Sequence, residues 1–439
     1  MKSMDRRHFL KSVSAGIAAA SLPSIVPSSA IGAGESVPPS ERIVMGCIGV
    51  GGQGTHNMRA FLGRRDVQVI SVCDVDARHR QRAAGHVNSR YQNRDCAQFN
   101  DFRELLANDT VDAVTVCTPD HWHGLASIAA AKAGKDIYCE KPLTNTVAEG
   151  RAVYDAVKRY GRVLQTGSHE RSRPNARLAC ELVRNGRIGR LHTIEINLPC
   201  DQGHHMAVRN DPSIHRPMPI PDGFDYNFWL GHCPDAPYTV KRCHFSWRFV
   251  LDHGGGEMTD RGAHVIDLGQ LGNGTDDTTP ISYQATGTPP ETPSNLWNTY
   301  FNYNFECMYA NGVRMIGTSD NPRGVKFVGD DGWIFIHVHG GNLRASDTNI
   351  LREKIGPDEI RIGRSPGHHA DFINCIKSRG EPFASARIGH HSAVICHLLN
   401  ISIQLGGRKL KWDPQKGRII GDDQANRMLA RPMRAPWSL

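Results

Sequence analysis

The chain has 439 residues, 22% of them charged and 39% hydrophobic, and a formal net charge of +8. This length predicts two domains of ordinary globular composition. The modest charge, without basic runs, argues against nucleic-acid binding, and we expect no membrane span because no apolar stretch is long enough.

The first 33 residues (1–33) have the order of a signal peptide. Arg6 and Arg7 precede Phe-Leu-Lys, an Ala-rich apolar stretch and small residues around Ser28 to Ala33. This order resembles a twin-arginine signal, with a disordered basic tail as the alternative. It predicts a periplasmic or otherwise exported protein. The chain also has twelve cysteines but no Cys-x-x-Cys pair, which favours structural thiols over a disulfide framework.

Residues 42–170 alternate short apolar runs with helical segments, which predicts a parallel Rossmann-type α/β domain. The predicted strands are 43–48, 67–73, 97–99, 111–117, 135–139 and 162–165. The predicted helices are 54–62, 77–91, 102–106, 121–132 and 146–160.

Residues 171–439 have a different pattern, which predicts an α+β domain for substrate binding and oligomerisation. A helix at 174–184 precedes strands at 191–197, 281–286, 297–309, 314–318, 326–328 and 333–338. The partial period of two in 297–309 indicates a largely antiparallel, open sheet with one packed face, and hence a homo-oligomer. Helices at 367–377 and 389–405 could return to the first domain. The irregular region 201–244 is typical of a functional lid or insertion.

The glycine motif after the first strand predicts a dinucleotide site. Gly49 permits the tight turn, and Gly51 lets a pyrophosphate approach the backbone. Gly54 allows the helix to pack closely against the strand. Gly52 and Gln53 complete the loop at the helix start, where free N–H groups bind phosphate.

Asp74 ends the second strand and can accept both ribose hydroxyls of a nucleotide. Its charge would meet the 2′-phosphate of NADP, so the sequence favours NAD as cofactor over NADP.

Two further motifs follow neighbouring strands, at the edge where ligands bind open α/β sheets. The first contains Thr118, Pro119, Asp120 and His123, and the second is Glu140-Lys141-Pro142. Together with the glycine motif they resemble the glucose–fructose oxidoreductase/inositol dehydrogenase/MocA (Gfo/Idh/MocA) family. We expect Thr118, Pro119, Asp120, His123, Glu140 and Lys141 to contact the cofactor.

A third motif runs from Trp247-Arg248 through a glycine run to Asp260 and His264. A helix starting near Thr259 would place Asp260 and His264 on one face. The family resemblance implies that Lys141, Asp260 and His264 are catalytic. Independently, the pKa of imidazole suits a base that takes an alcohol proton, and Lys141 would stabilise the alkoxide.

Other candidates lie beside these motifs. His169 is predicted to border cofactor and substrate, and Arg171 to bind substrate. Trp247 and Arg248 are assigned to substrate as well, although Arg248 could instead brace the glycine run. No zinc spacing is present in the His-rich region, so we expect no metal.

These features predict an NAD-dependent oxidoreductase acting on a secondary alcohol of a sugar, sugar derivative or polyol. Because a periplasm has no NAD pool, export implies a tightly held cofactor. The alternative is an NAD-assisted glycoside hydrolase or lyase that oxidises the sugar ring transiently. Exported N-acetylgalactosaminidases of this kind lack the Glu-Lys-Pro motif, which is intact here. A non-catalytic sugar- and NAD-binding protein is a second alternative.

Overall fold

The computed structural model describes residues 37–200 and 203–439. The predicted signal peptide, 1–33, lies outside the described residues.

The N-terminal half forms a six-stranded parallel sheet. Its strands are β1 (Ile43–Ile48), β2 (Val67–Cys73), β3 (Ala97–Phe99), β4 (Ala113–Val116), β5 (Asp136–Cys139) and β6 (Leu164–Thr166). Its helices are α1 (Gly52–Leu62), α2 (Ala77–Tyr91), α3 (Phe102–Leu106), α4 (Asp120–Lys132) and α5 (Val147–Arg159). The strand order is β3-β2-β1-β4-β5-β6, so the order reverses beside β1 and β4, where such folds bind dinucleotides.

The C-terminal half is built on a nine-stranded mixed sheet. Its strands are β7 (Leu191–Asn197), β8 (Ser282–Thr288), β9 (Phe301–Met308), β10 (Arg314–Thr318), β11 (Gly324–Gly329), β12 (Trp333–His337), β13 (Leu343–Ala345), β14 (Leu410–Asp413) and β15 (Arg418–Ile419). The order is β13-β12-β11-β7-β10-β9-β8-β14-β15; β7 and β10 pair in parallel and the other pairs are antiparallel. The predicted fold class, a Rossmann domain followed by a largely antiparallel sheet, is confirmed.

The alternation in β9 explains why this sheet has one packed face. Phe301, Tyr303 and Phe305 are at most 2% exposed, whereas Asn302 and Asn304 between them are exposed. The strand begins at Phe301, so the predicted start at 297 is four residues early.

Eight helices accompany this sheet in the described chain: α6 (Pro174–Arg184), α7 (Gly203–Arg209), α8 (Tyr226–Leu230), α9 (Glu257–Asp260), α10 (Gly262–Asn273), α11 (His368–Ser378), α12 (Ala386–Gln404) and α13 (Asp423–Arg427). Helix α11 lies against the first sheet, where Phe372 packs on Phe61 and Tyr138. Helix α12 passes so close to β6 that a Cβ at Gly389 would lie 2.2 Å from Thr166 Oγ1.

The region 201–244 is less irregular than predicted, because α7 and α8 lie within it. All twelve cysteines are free, and eleven of them are buried. None of the helices in the described ranges is long and apolar enough to cross a membrane.

Candidate active site

The glycine loop joins β1 to α1 through closely packed backbone. Gly49 has a φ of +75°, and a Cβ there would lie 2.6 Å from the Thr118 nitrogen. A Cβ at Gly54 would lie 1.8 Å from the carbonyl oxygen of Gly49, which leaves no room for a side chain. Gly51 and Gly52 face a cavity instead. Among the described residues no side chain caps α1, so its first N–H groups are available to an anion.

Asp74 follows β2 and fixes the backbone of the glycine loop through hydrogen bonds. Its carboxylate accepts hydrogen bonds from the backbone N–H groups of Val50 and Asp76, each at 2.9 Å. His79 Nδ1 lies 3.4 Å from the same carboxylate, and this contact raises the pKa of His79 above its ordinary value. Because each carboxylate oxygen has a second lone pair, Asp74 can still accept ribose hydroxyls at the cavity edge.

The turn after β4 lines the same cavity with Thr118, Pro119 and Asp120. Burial raises the pKa of Asp120 well above its ordinary value. The ring nitrogens of His123 lie 2.7 and 2.9 Å from the carbonyl oxygens of Pro142 and Thr118. His123 therefore ties the turn after β4 to the turn after β5.

Glu140 connects the turn after β5 to the glycine loop. Its Oε1 accepts hydrogen bonds from Asn57 Nδ2 at 2.8 Å and from Gln53 Nε2 at 3.4 Å. Gly167 passes so close that a Cβ there would lie 2.8 Å from the carboxyl group. Glu140 thus braces the floor of the cavity.

Lys141 meets Asp260 inside the cavity. Its Nζ donates to Oδ1 of Asp260 and also to the Asp260 carbonyl oxygen, the latter at 3.1 Å. Arg248 Nε lies 3.5 Å from the same Oδ1, and its guanidinium stacks 4.5 Å above the Trp247 ring. Burial alone would raise the pKa of Asp260, but Lys141 and Arg248 outweigh it and lower the pKa, so Asp260 is ionised.

Asp260 and His264 do not lie on one continuous helix, so the predicted helix from near Thr259 is wrong. Helix α9 ends at Asp260, and α10 begins two residues later. The N–H of His264 donates to the Arg261 carbonyl at 3.0 Å. The Asp260 carbonyl, which a continuous helix would use, accepts from Lys141 instead. Both side chains nevertheless line the cavity.

His264 belongs to a group of three imidazoles. Its ring centroid lies 4.8 Å from that of His169 and 5.0 Å from that of His339. Burial lowers the pKa of His264 well below its ordinary value, and His169 and Lys141 add to this effect, so the ring is neutral. Sequence reasoning missed His339, which lies in the turn after β12 beside two glycines, where no motif marks it.

The cavity has a volume of about 610 Å³, within the range of small-molecule sites. Its outer wall includes aromatic side chains from the region predicted as a lid and from the segment after it: Phe224, Phe228, Trp229, His244, Phe245 and Trp247. The bare glycine backbone, the uncapped helix start and the acid after β2 are the groups that a pyrophosphate and a ribose need. The residues present therefore fit NAD.

Most of the predicted site residues line this cavity. The exceptions are Gly54, which packs behind the loop, and Arg171. Arg171 is 4% exposed, and its guanidinium binds Asp267 and Asp276, in each case with a shortest distance of 2.6 Å. Burial alone would lower the pKa of Arg171, but the two carboxylates raise it above its ordinary value. The predicted substrate-binding role of Arg171 is therefore corrected to that of a buried ion-pair centre.

Comparison with protein families gives two adjacent matches. Residues 43–168 match the Gfo/Idh/MocA oxidoreductase profile described as an NAD-binding Rossmann fold. Residues 181–439 match the profile described as the C-terminal alpha/beta domain of the same oxidoreductase family.

Similar individual proteins include two curated relatives. Levoglucosan dehydrogenase of Pseudarthrobacter phenanthrenivorans is 40% identical over 170 residues, 38% of this chain and 35% of that protein. An alpha-N-acetylgalactosaminidase of Shewanella oneidensis is 31% identical over 174 residues, 36% of this chain and 38% of that protein. These matches thus span little more than a third of either relative.

Among solved structures, the fold is similar to that of the WlbA dehydrogenase from Bordetella pertussis in complex with NADH and UDP-GlcNAcA. The TM-score is 0.60 at 17% identity, covering 85% of this chain and 99% of that one.

Proposed function

The chain belongs to the Gfo/Idh/MocA oxidoreductase family, and we propose that it is an NAD-dependent enzyme that oxidises or reduces a secondary alcohol of a sugar, sugar derivative or polyol. The observation that carries this proposal is the meeting of Lys141, Asp260 and His264 in a cavity that begins at the glycine loop. Relatives named for levoglucosan and N-acetylgalactosaminide chemistry support a carbohydrate substrate.

Each of the three side chains has a distinct part in the chemistry. Bound NAD supplies the acceptor for the hydride that leaves the substrate carbon. Lys141 Nζ donates a hydrogen bond to the substrate oxygen and stabilises its developing negative charge. The ionised Asp260 holds Lys141 in position. His264 takes the hydroxyl proton on its ring, and its lowered pKa keeps it unprotonated at neutral pH, as a proton acceptor must be.

The test is turnover and cofactor binding in Lys141→Met. NADH formation is measured with levoglucosan and myo-inositol as first probes, extended to a panel of sugars. We expect kcat to fall by about 10²–10⁴-fold, the usual contribution of such a group. Protein from which the retained nucleotide has been removed should still bind NADH in a fluorescence titration. Lys132→Met is the matched control, because Lys132 is exposed on α4 outside the cavity. Turnover in Lys141→Met within tenfold of the wild type would contradict the assignment.

NAD-assisted glycoside cleavage is the second candidate, favoured by the similarity to the N-acetylgalactosaminidase. Incubation with p-nitrophenyl glycosides separates the two reactions. Release of p-nitrophenol with catalytic NAD and no accumulated oxidised sugar would select cleavage. Accumulation of oxidised sugar without release of p-nitrophenol would select the dehydrogenase.

We also propose that the chain is exported with NAD already bound. The support is the arginine pair at Arg6 and Arg7, together with the absence of an NAD pool in a periplasm. Replacing both arginines with lysine is expected to keep the protein in the cytoplasm. Denaturing the purified protein is expected to release close to one nucleotide per chain, and recovery of none would refute the retained cofactor.

The open face of the nine-stranded sheet is our proposed contact between copies of the chain. Asn302, Asn304 and Glu306 on β9 are exposed there, and Arg314 pairs with Glu306 at 3.0 Å. A stable contact needs about 800 Å² from each copy. Light scattering after gel filtration should give a multiple of the chain mass, and a monomer at micromolar concentration would refute the proposal.

A further inference from the structure

A second group of polar side chains lies behind the cofactor cavity, where three distant segments meet. His121 is at the start of α4, Cys233 follows α8, and His253 precedes the glycine run before α9. One possible metal-ligand atom from each residue lies within 4.8 Å of the other two. All three residues are buried, with 0%, 3% and 1% exposure respectively.

The hydrogen bonds of His121 leave one ring nitrogen as a free acceptor. Its Nε2 lies 2.8 Å from the carbonyl oxygen of Trp229, so Nε2 carries the proton and donates it. Nδ1 therefore presents a lone pair, and this atom is buried with no hydrogen-bond partner in the described chain. Such an arrangement, one imidazole nitrogen donating to a backbone carbonyl and the other free, is typical of metal-bound histidine.

His253 has fewer hydrogen-bond partners than His121. Both of its ring nitrogens are buried without a hydrogen-bond partner among the described residues. An unpaired buried polar group destabilises the fold unless a ligand satisfies it. The neighbouring thiol of Cys233 donates to the Asp252 carbonyl at 3.0 Å, immediately before His253 in the chain. The cluster thus combines two imidazole nitrogens and one sulfur with few competing contacts.

We propose that His121, Cys233 and His253 form a binding site for a divalent transition metal of the zinc class. Imidazole and thiolate are the ligands that Zn²⁺ prefers, and its usual bond lengths place ligand atoms about 3.3–3.7 Å apart. Small side-chain rotations would bring atoms now within 4.8 Å to that spacing. Binding converts the Cys233 thiol to a thiolate and releases its proton to solvent. Water completes the tetrahedron.

A second cavity borders this site at Cys233. It has a volume of about 350 Å³, and Cys233 and His232 line it. His232 also has an unpaired buried Nδ1 in the described structure, and its ring centroid lies 5.9 Å from that of His121. The ion would join the turn after β4, the lid region and the glycine run, and so fix the wall that Trp229 contributes to the cofactor cavity.

Metal content and the cobalt spectrum of the purified full-length chain test this proposal. After gel filtration in chelator-treated buffer, we expect elemental mass spectrometry to find about one zinc ion per chain. Replacement by Co²⁺ should give the visible ligand-field bands of a tetrahedral site and a near-ultraviolet sulfur-to-cobalt charge-transfer band. Between residues 37 and 439, leaving out 201–202, three clusters of His, Cys, Asp or Glu could hold a metal ion, and this is the one that contains a cysteine. A sulfur-to-cobalt band therefore points to this cluster.

Two cysteine variants separate this site from binding elsewhere. Cys233→Ser should lose the charge-transfer band and at least ninety per cent of the metal, whereas Cys243→Ser, at a buried cysteine outside the cluster, should keep both. Wild-type protein that takes up less than a tenth of an equivalent of added Zn²⁺ or Co²⁺ would overturn the proposal. A charge-transfer band that survives in Cys233→Ser would do the same. If Cys233→Ser does not fold, His253→Gln must lower the metal content instead, and the wild-type cobalt spectrum must still show sulfur ligation.

Discussion

Arg171→Met gives the sharpest test of the reassignment of Arg171 from a substrate ligand to an internal ion-pair centre. The change removes the guanidinium but keeps most of the aliphatic volume. Asp267, with a side chain 1% exposed, would lose its counter-charge. Asp276, with a side chain 23% exposed, would lose its ion pair with Arg171 but keep the weaker attraction of Arg184 and Arg387. Ser392 Oγ would still donate to Asp267 at 2.7 Å, but a hydroxyl does not neutralise the charge.

The expected loss of unfolding free energy is about 3–5 kcal/mol, the cost of removing one member of a buried ion pair. An unfolding entropy of about 2.1 cal/mol/K per residue amounts to about 0.9 kcal/mol/K for a chain of this length. The Tm should therefore fall by about 3–6 °C. Adding Asp267→Asn should restore more than half of this loss, because the uncompensated buried charge is then gone.

Thermal unfolding followed by circular dichroism at pH 7 measures these shifts. Arg151→Met is the control, because Arg151 and Asp155 form an exposed pair worth less than about 1 kcal/mol. The KM for the sugar found in the activity screen should change less than threefold in folded Arg171→Met. A Tm within 1 °C of the wild type together with a tenfold higher KM would refute this reasoning and return Arg171 to the substrate site.

Three further predictions concern the cofactor loop and acid stability. Gly54→Ala should weaken NADH binding at least tenfold in a fluorescence titration, because its Cβ would lie 1.8 Å from a backbone oxygen. Gly85→Ala, whose Cβ meets nothing within 4 Å, should bind NADH with the wild-type affinity. Equal NADH affinities of the two variants would contradict the packing argument. Asp74→Asn should raise NADP affinity relative to NAD about tenfold by removing charge repulsion at the 2′-phosphate, and an unchanged ratio would count against the ribose contact. Urea unfolding should show stability falling between pH 7 and pH 5, since three of the buried histidines have folded pKa values of about 3, 3 and 4, below the unfolded value near 6.5, and each contributes about 1.4 kcal/mol per unit as the unfolded chain takes up protons. Glu149, whose folded pKa is about 7, opposes them with about 1.4 kcal/mol per unit, which is less than the three together. A flat profile would show that the histidines are already charged. These histidines are His368, His390 and His397.

The Rossmann half could be predicted closely because its signals are local. Strands β1, β2 and β3 and helix α2 have the predicted bounds, since apolar runs and turn residues mark their ends. Helix α1 begins two residues before its predicted start, because Gly52 and Gln53 of the loop already have helical conformation. In the second half the short strands β13, β14 and β15 at and near the sheet edges were missed, because a two- to four-residue pairing leaves no periodic pattern.

Site residues could be predicted where a sequence motif follows a strand. They could not be predicted where contacts between distant segments determine what a side chain binds. Lys141 and Asp260 were found from their motifs, and the structure brings their side chains together. Arg171 also follows a strand in the sequence, but its guanidinium binds Asp276, which lies 105 positions away in the chain. The metal cluster has no local spacing either, since 132 positions separate His121 from His253.

The twelve free thiols have a consequence for the proposed export of the chain. Burial raises the pKa of every one of them, so the reactive thiolate is scarce in the folded chain. If the folded chain is exported as proposed, its cysteines are expected to remain thiols in an oxidising environment. The same thiols become reactive together once the chain opens, so alkylation with a mass-tagged reagent counts unfolding events directly.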